Sequence, residues 1–211
     1  TEVVEDSDKK DKVLLLEGKY YTSRKNNNLD FDALFNGVDI ALISPFVKNI
    51  LSRVGGYLKG NFDIVGSFSE PIINGTASLF DAACKINYLN TYYKINPQDS
   101  NEENLAPYLR FDKNRIDLNN IVLVDTLGNK ALANGVITHD YLKDFIFDID
   151  LALDNFLAMD MPEDVSSTFY ATAVADGNVE INGPLDDISI TIDAETMQGT
   201  TIDIVLTGTN T

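Results

Sequence analysis

One cysteine, one histidine and no tryptophan occur in 211 residues. With Cys84 alone there is no internal disulfide, so cysteine usage does not report a redox compartment. With His139 alone, a metal site built on several histidines and a multi-histidine acid–base system are excluded. Cations are scarce: 16 Lys and Arg face 33 Asp and Glu, leaving a net charge of −17. That argues against nucleic acid and anionic membrane surfaces as direct partners, because phosphate recognition needs a basic patch. No run approaches the roughly 18 apolar residues of a membrane helix. No glycine-rich phosphate loop is present either, since Gly55-Gly56 follows a helix-like stretch instead of opening one. The chain starts at Thr1 with neither Met nor a signal sequence, and so reads as a processed product or an internal fragment.

Apolar residues make up 44% of the chain, enough for a core. Residues 1–12 are charged and read as a flexible lead-in. Residues 13–211 read as one elongated β domain built of repeated strand modules, with sub-repeats at 13–95 and 105–211. Period-2 alternation is clearest at 58–68 and 144–154. In the first, Leu58, Phe62, Ile64 and Phe68 share one register with Gly60 and Gly66, against Lys59, Asn61, Asp63 and Ser67. In the second, Phe145, Phe147, Ile149, Leu151 and Leu153 oppose Asp144, Asp148, Asp150 and Asp154. A Gly-x-x-x-Ile-x-Gly unit occurs at Gly60–Gly66 and again at Gly177–Gly183, as a strand-and-turn module used twice.

Further strands are expected at 13–21, 38–42, 76–83, 85–93, 115–118, 121–125, 131–138, 169–175, 178–181, 188–194 and 201–206. The segment 29–36 is ambiguous, because Leu34-Phe35 breaks its alternation. A polar loop is expected at 96–104, a connection containing Met159, Met161 and Pro162 at 155–164, and a hairpin turn at 127–130. One short helix is expected near 44–54, with Ser44 as N-cap, Pro45 in the first turn and Gly55-Gly56 as the stop. Its apolar stripe, Phe46, Val47, Ile50, Leu51 and Val54, suits a plug over the sheet end or a partner helix. The whole is all-β and mostly antiparallel, with no room for parallel βαβ units.

No catalytic constellation stands out, and the chain reads as a non-enzyme without cofactor or metal. His139 beside Asp140 reads as structural, and Cys84 as a small buried apolar group. The aspartates between 144 and 164 fit neither an EF-hand nor a nonapeptide calcium repeat. Asn74-Gly75-Thr76 matches a glycosylation sequon, a motif too short to carry weight. What remains is an apolar face. Two sheets closing on each other would make it a sandwich core, and one curled sheet would make it a trough. Alternation alone does not separate them. A secreted β-sandwich module for protein or carbohydrate is the alternative reading.

The order of motifs resembles the TamB (translocation and assembly module) family of the AsmA-like superfamily over residues 38–207. The residues that carry the resemblance are Gly56-Tyr57-Leu58-Lys59-Gly60 after a short helix, Gly66 to Gly75 with Pro71, Lys85 to Tyr93, and Asp125 with Gly128-Asn129-Lys130-Ala131. Gly135 to His139, Asp144-Phe145, Asp154 to Leu157, Gly177 to Ile188 and Gly199 to Ile202 complete them. Residues 1–37 match less clearly. The resemblance implies an internal piece of a longer periplasmic protein, anchored in the inner membrane of a Gram-negative envelope by a segment absent here. It implies a long curled sheet (a β-taco, or open sandwich) with an apolar interior, serving phospholipid transport or outer-membrane protein assembly. It implies an outer-membrane barrel partner reached through other regions, phospholipid acyl chains as cargo, and no catalytic residues. The expected groove lining is Phe62, Ile64, Ile116, Leu118, Phe145, Phe147, Ile149, Leu151, Val179, Ile181, Ile188, Ile190 and Ile192.

Overall fold

Alternating apolar and polar residues commit this chain to strands, and the strands assemble into one sheet. The computed structural model describes residues 13–95, 108–163 and 169–204. The expected lead-in and the 96–104 loop lie outside the described residues. Among the described residues, twelve strands form a single antiparallel meander. They are β1 (Leu14–Tyr20), β2 (Leu29–Asp39), β3 (Leu51–Gly66), β4 (Pro71–Ile86), β5 (Thr91–Ile95) and β6 (Tyr108–Asp112). The second half comprises β7 (Arg115–Val124), β8 (Lys130–Asp140), β9 (Lys143–Met161), β10 (Phe169–Pro184), β11 (Ser189–Thr196) and β12 (Thr201–Ile204). β5 and β6 share one position, both lying between β4 and β7. β11 and β12 likewise share the edge beside β10.

The helix expected over 44–54 does not form. A 3-10 turn at Ile40–Ile43 leads into one helical turn, α1 (Ser44–Val47), and Leu51 already begins β3. Asp39, not Ser44, caps the turn: its carboxylate accepts from the Ala41 N–H at 2.8 Å. A short helix must fix several residues before its first hydrogen bond forms. Leu51 and Ser52 instead pair directly with Ile86 and Lys85 of β4. Gly55-Gly56 therefore lies inside a strand, not at a helix end.

Several expected boundaries also shift. The runs at 115–118 and 121–125 are one strand, β7, with a register shift between Leu118 and Ile121. The 155–164 connection is strand as far as Met161, because a bulge absorbs the break in alternation. Asn155 takes φ +47° there, a left-handed conformation that Asn tolerates better than most residues. The runs at 76–83 and 85–93 divide at a turn near 87–90, between β4 and β5. The closing glycines of the two module copies share a geometry, whereas of the opening ones only Gly177 has positive φ. Gly66 and Gly183 both have positive φ, +94° and +113°. A Cβ on either would strike a backbone oxygen, that of Glu70 at 2.5 Å or Asp187 at 2.6 Å.

The sheet curls. Tyr93 on β5 and Phe156 on β9 are three strand positions apart, a span of roughly 14 Å in a flat sheet at about 4.8 Å per strand. Their rings stack with centroids 4.7 Å apart. The Tyr93 hydroxyl donates to the Leu157 carbonyl at 2.9 Å. Asn90 Nδ2 donates to the Asp160 carbonyl, and Asp160 N–H to the Leu89 carbonyl. Around this seam Ala131, Leu153 and Ala175 are buried. Asp125, itself buried, accepts three backbone N–H bonds there. Leu127 and Asn129 donate to Oδ1, and Leu157 to Oδ2 at 2.7 Å. One carboxylate thus holds the β7–β8 turn against β9.

Truncating the seam should cost far more than truncating an edge. Phe156→Ala should lose about 3–5 kcal/mol of stability, whereas Ile192→Ala, at an exposed edge position, should stay within about 0.5 kcal/mol. Urea unfolding midpoints of the two variants measure this difference. Equal losses would mean that the seam does not hold the curl.

Candidate functional site

Strand register decides which side chains share a face, because directly paired residues point the same way. One row runs Leu16, Ala33, Phe62, Gly75, Phe111, Ile116, Ile137, Phe147, Gly183. The next runs Leu14, Phe35, Gly60, Ala77, Leu109, Leu118, Gly135, Ile149, Ile181, Ile190. A third runs Ile121, Ala133, Leu151, Val179, Ile192. All three are apolar, with glycine filling the gaps, and they lie side by side on one face.

Ten of the thirteen residues expected to line a groove occupy these rows. Phe62, Ile116 and Phe147 occupy the first row, and Leu118, Ile149, Ile181 and Ile190 the second. Leu151, Val179 and Ile192 occupy the third. Ile64 and Phe145 sit two residues from members of these rows on β3 and β9, and Ile188 immediately precedes β11, two residues before Ile190. Their burial is graded. Phe62 is buried at 4% exposure, under Phe35 and Phe111. Ile64, Ile116, Leu118, Phe145, Phe147, Ile149, Leu151, Val179, Ile181 and Ile188 are half-buried. Ile190 and Ile192 are exposed, at 56% and 67%. On the opposite margin, Leu14 and Leu16 are exposed at 54% and 52%.

Glycine shapes this face at Gly75. It lies between Phe62 and Phe111 in its row, and the two rings meet edge to face above it at 5.2 Å. A Cβ there would stand 2.1 Å from the Asn61 carbonyl oxygen and 2.9 Å from Phe62 Cδ1. Its φ of +155° also disfavours any other residue. The missing side chain lets two aromatics on non-adjacent strands touch, which draws the sheet inward.

Alternation did not find the seam that closes one part of the face. Tyr93, Phe156 and Asp125 belong to it, and none was singled out as a site. A signal existed for Asp125: an aspartate just before Thr-Leu-Gly-Asn is the usual start of a side-chain-capped turn. No local signal announces the Tyr93–Phe156 pair, which is 63 residues apart in sequence. Cys84 lies opposite Tyr93 on β4 and is buried. Burial pushes its thiol up to about 11, so it stays protonated and unreactive at neutral pH. Burial also raises the Tyr93 hydroxyl above its ordinary value. Among the described residues, no group of three or more His, Cys, Asp or Glu is placed to hold a metal ion.

His139 is buried near the β8–β9 turn. Its Nδ1 accepts from the Leu142 N–H at 3.1 Å, and its ring packs edge-on against Phe145. Burial lowers its pKa below the ordinary 6.5, against the opposing pull of Asp140. Comparisons with protein-family models, with curated proteins and with solved structures find no match to this chain.

The lowered pKa has a pH consequence. Below the unfolded value of 6.5 the unfolded chain takes up the proton first, so the neutral imidazole's contribution to stability falls as pH drops through that value and on to the folded one. Urea midpoints between pH 7.5 and 5 should fall more steeply for the wild type than for His139→Asn. Parallel slopes would show that His139 carries no such linkage.

Proposed function

We propose that this chain is a non-catalytic segment of a cell-envelope biogenesis protein of the TamB type. Its apolar face receives phospholipid acyl chains, or apolar strands of outer-membrane proteins, as they cross the periplasm. The observation that carries this reading is the continuity of the apolar face. It extends over every strand position from β1 to β11, and its margins are exposed at Leu14, Leu16, Ile190 and Ile192. A β-sandwich would cover such a face with a second sheet. The described residues form a single sheet. That favours the trough over a closed binding module.

The energetics suit an acyl guest. Each buried methylene contributes about 0.8 kcal/mol, and rows of Ile, Leu and Phe offer a path without polar interruptions. The opposite face of β9 to β11 carries Asp148, Asp150, Glu180 and Asp193, which keep the exterior solvated. Attachment to an inner-membrane anchor and to an outer-membrane barrel partner, both outside this sequence, completes the reading.

Photoreactive amino acids placed at Phe147 and Ile190 in living cells test it. Lipid adducts at both, and none at the outward Asp148, are expected by mass spectrometry. Absence of lipid and of outer-membrane-protein adducts at both positions would overturn the proposal.

A further inference from the structure

A wide, open hollow lies on the other side of the sheet. It spans about 1000 Å³ against β2, β3, β4 and β6. Register places its polar side chains on the face opposite Phe62: Asn61 pairs with Thr76 and Thr76 with Arg110, while Lys59 pairs with Ser78. Its floor includes Gly60 and Gly75, which carry no side chain. The chemistry here differs from the rest of this face. Around β9 to β11 the outward residues include the carboxylates Asp148, Asp150, Glu180 and Asp193. In the cavity they are mostly amides and hydroxyls, with two cations, Lys59 and Arg110, and one carboxylate, Asp112, in a chain of net charge −17.

Two aromatic side chains complete the cavity. Tyr108 is 40% exposed at its wall. Phe80 also lines it, with the Lys59 ammonium 4.9 Å from its ring centroid. Asn74 is held in place, because its Oδ1 accepts from the Lys113 N–H at 2.9 Å, leaving its NH₂ to donate. Arg110 makes no ion pair among the described residues. Its guanidinium is thus available for a bidentate contact with a planar or tetrahedral anion. Short amides and hydroxyls match the paired donors and acceptors of sugar hydroxyls. An exposed aromatic face suits the apolar C–H face of a sugar ring.

We infer that this outer cavity binds an oligosaccharide bearing an anionic group, with Arg110 on the anion and Tyr108 under a sugar ring. The inference does not depend on what the apolar face carries. The two sites lie on opposite faces of β3 and β4, so one can fail without the other.

Titration of the intact chain with a galacturonic acid hexasaccharide, and separately with glucose 1-phosphate, tests the site by calorimetry and amide chemical shifts. The two probes separate a carboxylate anion from a phosphate. Saturable binding of at least one probe is expected, with shifts at Asn61, Thr76 and Arg110. Arg110→Ala and Tyr108→Ala should each weaken it at least tenfold, and Lys143→Ala, outside the cavity, should not. A neutral galactose oligosaccharide should bind at least tenfold more weakly. Saturable binding of neither charged probe overturns the inference. So does binding that the two cavity variants leave unchanged. Inorganic phosphate binding as tightly as the sugars would also overturn it, by showing an ion site and not a sugar site.

Discussion

The stack of Tyr93 on Phe156 is the contact on which the curled shape depends. The strand pairing joins neighbouring positions along the meander, and by itself it does not bring β5 against β9. A 4.7 Å contact across three strand positions can be made only by bending the sheet between them. The buried Asp125 reinforces the bend by holding the β7–β8 turn to Leu157 with both carboxylate oxygens. Hydrogen bonds to a charged acceptor contribute about 1.5–3 kcal/mol each, so this one residue is a large part of what fixes the seam. Phe62 and Phe111, meeting over Gly75, bend the neighbouring region by the same means with a smaller span.

Closure at the seam and exposure at the margins follow from one arrangement. Near Phe156 the apolar rows meet one another and become a core. Towards β1 and β11 they have no opposing rows, and Leu14, Leu16, Ile190 and Ile192 remain exposed. A core of this kind anchors the sheet, while the exposed rows extend an apolar surface from it. The opposite face is divided as well, with carboxylates along β9 to β11 and a mixed polar cavity beside β3, β4 and β6. The single sheet therefore presents two chemically distinct surfaces, each reached from its own side.

Much of this was legible in the sequence, because strand alternation is a local property. The faces of β3 and β9 follow from Phe62 and Ile64, and from Phe147, Ile149 and Leu151, with no knowledge of their partners. The all-β class and the antiparallel pairing follow equally. Phase, however, is vulnerable to a single residue. Asn155 and Asn120 both adopt left-handed backbone, with φ of +47° and +52°. Each allows a strand to continue where alternation ends, so β9 and β7 are longer than their patterns suggest. The residues after Ser44 went wrong for a related reason. A helical stripe and a bulged strand look alike over ten residues, and pairing with Ile86 and Lys85 decided between them. The seam was not legible, because Tyr93 meets Phe156 only after β7 and β8 have been laid between them.

The central claim is that the apolar face is packed at the seam and open towards the β11 margin. Single cysteines introduced at Phe156, Ile149 and Ile192, and alkylated with a water-soluble maleimide, measure this directly. Cys84 is buried, with its thiol held up to about 11, and so contributes little background. The account predicts a graded series: Ile192→Cys reacting close to the rate of a free thiol, Ile149→Cys about tenfold slower, and Phe156→Cys only on unfolding. A Cys at position 149 protected as fully as one at 156 would contradict the open trough and show a closed core instead.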